Sequence, residues 1–393
     1  MSPYNNGVYL SESDGWRKSE ILGSIRNLPE WFGDNGYLTW ACGKVLHSPI
    51  DETREKDMWV NYPIPSGDWG PFPEEQYWYG GDRYFSVKDW EGPDSVFHDV
   101  VNADLLIDFL GDQHDKPFFA YYGLWRPHNP YTAPKRFFDL YDPDSLQMPY
   151  GLQDDDLNDV PKIAIERSDS LKSIRNDTIP LQETWRKFLH GYYANTTFAD
   201  WNIGRVIEAL DKSKYADNTI VVFFSDNGFH CGEKLHWGKS TLWEMSANVP
   251  LVLRAPDYNS SVCSATVSLV DIFPTLLEYC NIPSPEHKLD GQSLLRLIDG
   301  RETIMNKPAI SVYGIGYSGV RTPEYHFIAY PDGSNELYDH RNDIHEFNNL
   351  VGLESSDSVI NNLSTFLPTN WYPSTGGRMS IIRPYEKKVM NDH

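Results

Sequence analysis

One stretch constrains this chain more than any other: residues 219–256, TIVVFFSDNGFHCGEKLHWGKSTLWEMSANVPLVLRAP. An apolar, β-branched run stops abruptly at Ser225-Asp226-Asn227-Gly228. A short segment carrying Lys234, His236 and Lys239 follows, and then a second apolar run. Unbroken apolar runs of this kind predict strands buried on both faces, as in a sheet covered by helices. The first strand would deliver a carboxylate and an amide at its tip, with cations close behind. That suits a hard metal ion and an anionic ligand. Taken alone, Asp226-Asn227-Gly228 reads equally as an ordinary turn, and Lys234 and His236 are weaker candidates that read as solvated side chains.

The other periodicities agree with an α/β fold. Ile21, Leu22, Ile25, Leu28 and Phe32 predict a helix over 19–35, disturbed by Pro29 and ended by Asn35-Gly36. Helices are predicted over 98–111, with Val101, Leu105, Leu106 and Phe109 inward, and over 183–211. Asp271 is positioned to cap another helix running through Tyr279. Strands are predicted at 37–41, 118–124, 219–224 and 251–253. Residues 50–95 read as a long surface excursion rich in Pro, Gly and Trp, and 150–180 as polar loop. The alternation predicts a mostly parallel sheet flanked by helices. After about residue 305, short strands at 309–313, 325–330 and 336–338 and a helix near 355–366 predict a small antiparallel α+β subdomain. The expected division is 1–304 and 305–393.

A formal net charge of −22 over 393 residues argues against a nucleic-acid partner, whose phosphates demand clustered Lys and Arg. It leaves room for a small cationic pocket, because a local field can oppose the net charge. No apolar run approaches the roughly 20 residues needed to span a bilayer. Cys42, Cys231, Cys263 and Cys280 form no CxxC pair, so a zinc knuckle or redox motif is unsupported.

Three motifs follow predicted strands directly, where open α/β sheets bind ligands. Gly43-Lys44-Val45-Leu46-His47 offers a cation and a donor three residues apart. In Trp125-Arg126-Pro127-His128-Asn129-Pro130, two prolines restrict the backbone around an imidazole. The third motif is Asp226-Asn227 with Lys239 beyond, a source of hard oxygen ligands. Alone, the first motif reads better as a solvated Lys and an unrelated His, and each of the other two reads equally well as a turn.

Together, in this order and spacing, the motifs resemble the sulfatase family, with its alkaline-phosphatase-like fold, closest to its iduronate-sulfatase-like branch. The resemblance runs through NLPEWFGDNGYLTWACGKVLHSP, KPFFAYYGLWRPHNPYTAPKRF, SDNGFHCGEKLHWGKSTLWE, LVDIFPTLLEYCNI, LDGQSLL and ELYDHRNDIHEFNNL. It implies a sulfuric ester hydrolase acting on a sulfated carbohydrate. Asp226 and Asn227 would form part of a Ca²⁺ site. Lys44 and Lys239 would hold sulfate oxygens, His47 would stand beside the nucleophile, and His128 would contact the sulfate and protonate the leaving oxygen. Trp59, Trp69, Tyr77, Trp78 and Tyr79 would line the pocket mouth.

The family makes its nucleophile, a formylglycine, from Cys or Ser in a C/S-x-P-S-R motif. No cysteine here is followed by that pattern, and there is no serine version. The opening SPYNNGVYLSESDGW resembles the segment downstream of the nucleophile, so the first strand, with its paired Asp, is expected to be missing. The resemblance therefore implies weak calcium binding and no turnover by these residues alone. A non-catalytic binder of sulfated ligands and a phosphodiesterase or phosphonate hydrolase on the same fold are the competing expectations.

Overall fold

Pro29 decides how the first apolar stretch folds. Lacking an N–H, it is tolerated only in a first helical turn, so the expected helix over 19–35 is two helices. In Glu20–Ser24, the Ser19 hydroxyl accepts from the Leu22 amide at 3.2 Å. In Leu28–Asp34, Asn27 and Glu30 close a reciprocal capping box at 3.0 and 2.8 Å. The computed structural model describes residues 1–9, 16, 19–46, 58–60, 70–74, 77–79, 82–150, 155–170 and 181–375. His47, Trp69 and most of residues 50–81 of the expected 50–95 excursion lie outside them, as do the side chains of Tyr77, Trp78 and Tyr79.

The chain divides into two compact units. One comprises Asn27–Pro149 and Ile174–Thr219. In it, strand β1 (Leu38–Gly43) runs parallel to β4 (Phe118–Gly123), in register from Leu38↔Phe118 to Gly43↔Gly123. β2 (Tyr77–Tyr79) pairs antiparallel with β3 (Asp82–Trp90), and β3 pairs parallel with β5 (Tyr131–Pro134). The expected excursion thus contains a nine-residue strand. Its Trp, Asp and Pro neighbours hide the period-2 pattern. The helix expected over 183–211 is Leu181–Lys212 and carries the buried Phe188, Ala194 and Phe198. Phe97, Val100, Ala133, Phe137, Phe138, Ala194 and Phe198 form one core cluster. The helix His98–Gly111 turns Ala103, Leu106 and Phe109 inward. Val101 and Leu105 are only half-buried, and Asp99 and Asn102 are buried instead.

The other unit comprises Met1–Arg26, Tyr150–Ser173 and Ile220–His393. β6 (Val221–Phe224) pairs antiparallel with β9 (Leu251–Arg254). The expectation of fully buried strands fails here. Phe223 and Val252 stand opposite each other in register and are 39% and 56% exposed, so one face of the pair meets solvent. Between them, β7 (His230–Cys231) pairs with β8 (Trp237–Gly238). Four antiparallel strands follow in the order β10 (Ala309–Val312), β11 (Ser318–Arg321), β12 (Tyr325–Ala329) and β13 (Asn335–Asp339), then the helix Asp357–Ser364. Strand β11 had no sequence signal, being four residues that begin Ser-Gly.

The stretch 150–180, expected as loop, contains the helix Lys162–Ser170. Its Ala164 joins a cluster with Leu242, Trp243, Tyr317, Ile328, Tyr330 and Tyr338. Its Arg167 guanidinium lies 4.2 Å from the Tyr313 ring centroid. Asp271 does not cap the helix Ile272–Tyr279 through its side chain. Its carboxylate accepts the Ser268 and Gln292 amides, both at 2.8 Å. All four cysteines are free, with Cys42 and Cys231 buried and Cys263 exposed. Among the described residues no helix is long and apolar enough to cross a membrane.

Candidate active site

In the first unit, the tips of β1 and β4 meet main chain to main chain. The Lys44 amide donates to the Gly123 carbonyl at 2.8 Å. A Cβ on Gly123 would stand 1.9 Å from the Lys44 carbonyl oxygen, and one on Gly43 would stand 2.0 Å from that of Gly123. Gly43 also has φ 74°, the left-handed region that glycine occupies freely. This approach sets down Lys44 just past the strand. Its ammonium lies 5.5 Å from the centroid of the Trp125 ring, a cation–π distance.

Trp125 opens the segment that carries His128. Asp99, fully buried on the helix His98–Gly111, holds that segment: its carboxylate accepts the Trp125 amide at 2.7 Å and the Arg126 amide at 3.3 Å. Burial pushes the Asp99 carboxyl above its ordinary range, against the nearby Arg126 guanidinium and these two amides. Arg126 is itself buried and donates to the carbonyls of Thr132 and Gly70, each at 3.1 Å. His128 is half-buried, and its Nδ1 lies 2.6 Å from the Asn129 carbonyl oxygen. A carbonyl only accepts, so Nδ1 carries the proton and Nε2 is the ring's second working nitrogen.

In the second unit, β6 delivers Asp226 and Asn227. Asp226 is exposed and accepts no protein hydrogen bond among the described residues. The Asn227 amide donates to the Gly228 carbonyl at 2.8 Å, and its Oδ1 accepts from Lys239 Nζ at 3.0 Å. The structure therefore joins Asn227 and Lys239 directly. Gly228 permits the return of the chain: its amide donates to the Ser246 carbonyl at 2.9 Å, and a Cβ there would meet the Met245 carbonyl at 2.1 Å.

Lys234 and His236, which the sequence left open as solvated, are buried, at 2% and 1% exposure. Lys234 and Leu235 take left-handed φ values of 55° and 49°, which folds the loop back on itself. Lys234 Nζ donates to Asp156 Oδ1 at 2.7 Å and to the Glu346 carbonyl. His236 Nε2 lies 3.2 Å from the Lys239 carbonyl oxygen. His230, fully buried, contacts the Glu233 carbonyl and Thr241 Oγ1, and burial, with His236 close by, pushes its pKa down to about 3. Asp99, Asp156 and His230 are the residues that sequence reasoning missed. Each acts through partners remote in the chain or looks like ordinary polar sequence.

The donor set can be tested against a hard cation. Calcium takes six to eight oxygens. Asp226 offers an unengaged carboxylate and Asn227 an amide oxygen that retains a second lone pair beside Lys239. Both fit as part of an oxygen shell.

A family profile described as Sulfatase matches residues 1–282, and one described as N-sulphoglucosamine sulphohydrolase, C-terminal, matches 232–370. This chain belongs to the sulfatase family. A sulfatase of Formosa agariphila is 31% identical over 384 residues, covering 94% of this chain and 75% of that protein. Iduronate 2-sulfatase of Homo sapiens is 28% identical over 344 residues, covering 70% of this chain but only 60% of that protein. Among solved structures, a complex with the substrate D-glucosamine-2-N,6-O-disulfate superposes with a TM-score of 0.67 at 21% identity, covering 92% of this chain and 84% of that one. The phosphonate monoester hydrolase of Agrobacterium radiobacter superposes at 0.63 and 17% identity, covering 87% and 79%. These likenesses bear out the α/β, alkaline-phosphatase/sulfatase-like fold of this sulfatase.

Proposed function

We propose that this sulfatase-family chain recognises sulfuric esters of carbohydrates, and that its residues supply metal, cation and proton-donor groups for their hydrolysis without turning the ester over by themselves. The observation that carries this reading is the Lys239–Asn227 contact beside an unengaged Asp226. It couples a cation for an anionic ligand to an oxygen set for a metal, within one loop. Asp226 and Asn227 would hold Ca²⁺, which supplies electrostatic stabilisation of developing oxyanion charge. Lys239 and Lys44 would hold sulfate oxygens, with Trp125 orienting Lys44. His128, its Nδ1 proton fixed on the Asn129 carbonyl, would use Nε2 to give a proton to the leaving sugar oxygen. His47 would stand on the nucleophile side. Relatives named iduronate 2-sulfatase and a fold neighbour bound to a sulfated glucosamine support a sulfated sugar as the substrate class.

The test is calorimetric titration of inorganic sulfate and a sulfated glucosamine into the 393-residue chain, with and without calcium. Both should bind in competition, and Lys239→Ala or Lys44→Ala should weaken each by about tenfold or more, as expected on losing one charge-assisted contact. Unchanged affinity in both variants would sink the reading. Aryl sulfate hydrolysis by this polypeptide is expected to be undetectable, because these residues contain no C/S-x-P-S-R motif. Measured turnover abolished by an aldehyde-trapping reagent would overturn that part. The fold neighbour that cleaves phosphonate esters motivates a second arm, in which phosphate and phosphonate esters compete against sulfate esters.

A further inference from the structure

Four buried groups in the second unit lie outside the site described above. They are Glu244, His326, His340 and Glu346, whose ligand-type atoms all lie within 4.8 Å of one another. Two imidazoles and two carboxylates have the composition of a zinc site. Their arrangement is different. Glu346 Oε1 lies off one edge of the His340 ring, 3.1 Å from Nε2. Glu244 lies off the other edge, 4.0 Å from Nδ1. That Nδ1 also meets Arg321 Nη2 at 2.7 Å. A guanidinium only donates, so Nδ1 accepts and Nε2 carries the ring proton. Nε2 therefore has no lone pair for a metal, and the groups form a chain rather than a chelate. Arg321 donates to His340 and, through Nε at 3.1 Å, to Glu244, while His340 and His326 both donate to Glu346.

Glu346 is the hub of this chain. One carboxylate oxygen accepts His326 Nδ1 at 2.5 Å and His340 Nε2 at 3.1 Å. The other accepts the Glu244 main-chain amide at 2.9 Å. Its own carbonyl accepts the buried Lys234 ammonium. Its φ of 61°, left-handed and unusual for a residue with a side chain, is the conformation in which carbonyl and carboxylate serve these separate partners. Lys234 and Glu244 stand five residues before and five residues after Lys239. One residue of the C-terminal segment thus grips both flanks of the loop that carries the Lys239–Asn227 contact.

We propose that Glu346 is the positioning residue for Lys239. It fixes the loop 233–246 at both ends, and His326 and His340 keep its carboxylate ionised and aimed. The role in anion binding rests on the reading of Lys239 given above; the role in ordering the loop does not.

Hydrogen exchange read peptide by peptide on the 393-residue chain tests the ordering. Glu346→Ala should speed exchange across 233–246 by tenfold or more and leave the helix Ile272–Tyr279 of the same unit near its original rate. Glu346→Gln, whose single amide oxygen can serve either the Glu244 amide or the two histidines but not both, should restore part of the protection. If Glu346→Ala fails to fold, Glu346→Gln and His326→Gln carry the test, with smaller increases confined to the same peptides. Sulfate titration provides the second readout: affinity should fall severalfold in Glu346→Ala and recover in part in Glu346→Gln. A uniform rise in exchange over the unit, or none in the loop, overturns the proposal. So does stoichiometric Zn²⁺ uptake that disappears in His326→Gln. If the wild type binds no sulfate while the exchange results hold, positioning stands and the anion-binding reading of Lys239 is what fails.

Discussion

Lys239 donates to the Oδ1 of Asn227 across 3.0 Å, so the cation expected to hold an anion also touches a proposed metal ligand. The two roles share one amide oxygen, one lone pair for each. Replacing Asn227 with Asp adds a charge to the oxygen set and a closer counter-ion to Lys239. Calcium should bind about tenfold tighter, since affinity follows ligand charge, and sulfate about tenfold weaker. Separate titrations of calcium and sulfate check this, and shifts of the same sign in both would contradict it.

Lys234 and Asp156 form an ion pair at 2.7 Å, with side chains 2% and 1% exposed. Breaking such a pair leaves an uncompensated buried charge. Lys234→Met should therefore cost about 3–5 kcal/mol in urea unfolding. Combining it with Asp156→Leu should recover much of the loss, because two apolar groups leave no charge stranded. A double variant as unstable as the sum of the two single variants would contradict this account.

At the tip of β4, Gly123→Ala puts a methyl 1.9 Å from the Lys44 carbonyl oxygen. The obstacle is main chain, so no rotamer change relieves it. A loss of about 1–3 kcal/mol is expected, together with weaker sulfate binding as Lys44 shifts. Gly36→Ala, whose Cβ meets nothing within 4 Å although φ is 91°, separates backbone strain from collision. It should lower stability without touching sulfate affinity.

The buried histidines give stability a defined pH dependence. Burial alone would lower His326, but the Glu346 carboxylate and its hydrogen bond lift it above 6.5. Burial alone would raise Glu346, but His326, His340 and the Glu244 amide hold it below 4.5. Glu244 and Arg321 are the other charged groups facing the pair, and Lys234 meets the Glu346 carbonyl. The stability from His326 is fully present below 6.5 and is lost as pH rises through its raised value. That from Glu346 is present above 4.5 and is lost as pH falls through its lowered value. His230, pushed to about 3, adds to the acid limb, since its buried neutral form loses ground as pH falls from 6.5 toward 3. Melting temperature should therefore decline above pH 6.5, and His326→Gln should flatten that alkaline limb and shrink the Glu346 share of the acid limb, leaving the His230 share in place. Parallel profiles above 6.5 would rule this out.

Much of the frame was legible because it is local. The helix Leu181–Lys212 announces itself by spacing, and β1 and β4 by short apolar runs that end in glycine. The tip residues Lys44, His128, Asp226, Asn227 and Lys239 follow from their position after strands. The failures have a different cause. The helix Lys162–Ser170 buries Ala164, Arg167 and Ser168, a face too polar to stand out from loop. Glu346 meets Lys234 across 112 positions and Glu244 across 102. No window of sequence contains such a contact, and a glutamate in a polar run carries no mark of being fully buried.

The meeting of Gly43 with Gly123 is made wholly of main-chain atoms, which every residue type carries alike. Sequence change can act there only by adding bulk, and any addition is an injury rather than an adjustment. Those two positions behave as a fixed datum, like the bed of a lathe: indifferent to what is being worked, and the reference from which the interchangeable tools are measured. Divergence in what related proteins prefer to bind should therefore accumulate in the side chains that arrive around this point and leave the point itself untouched.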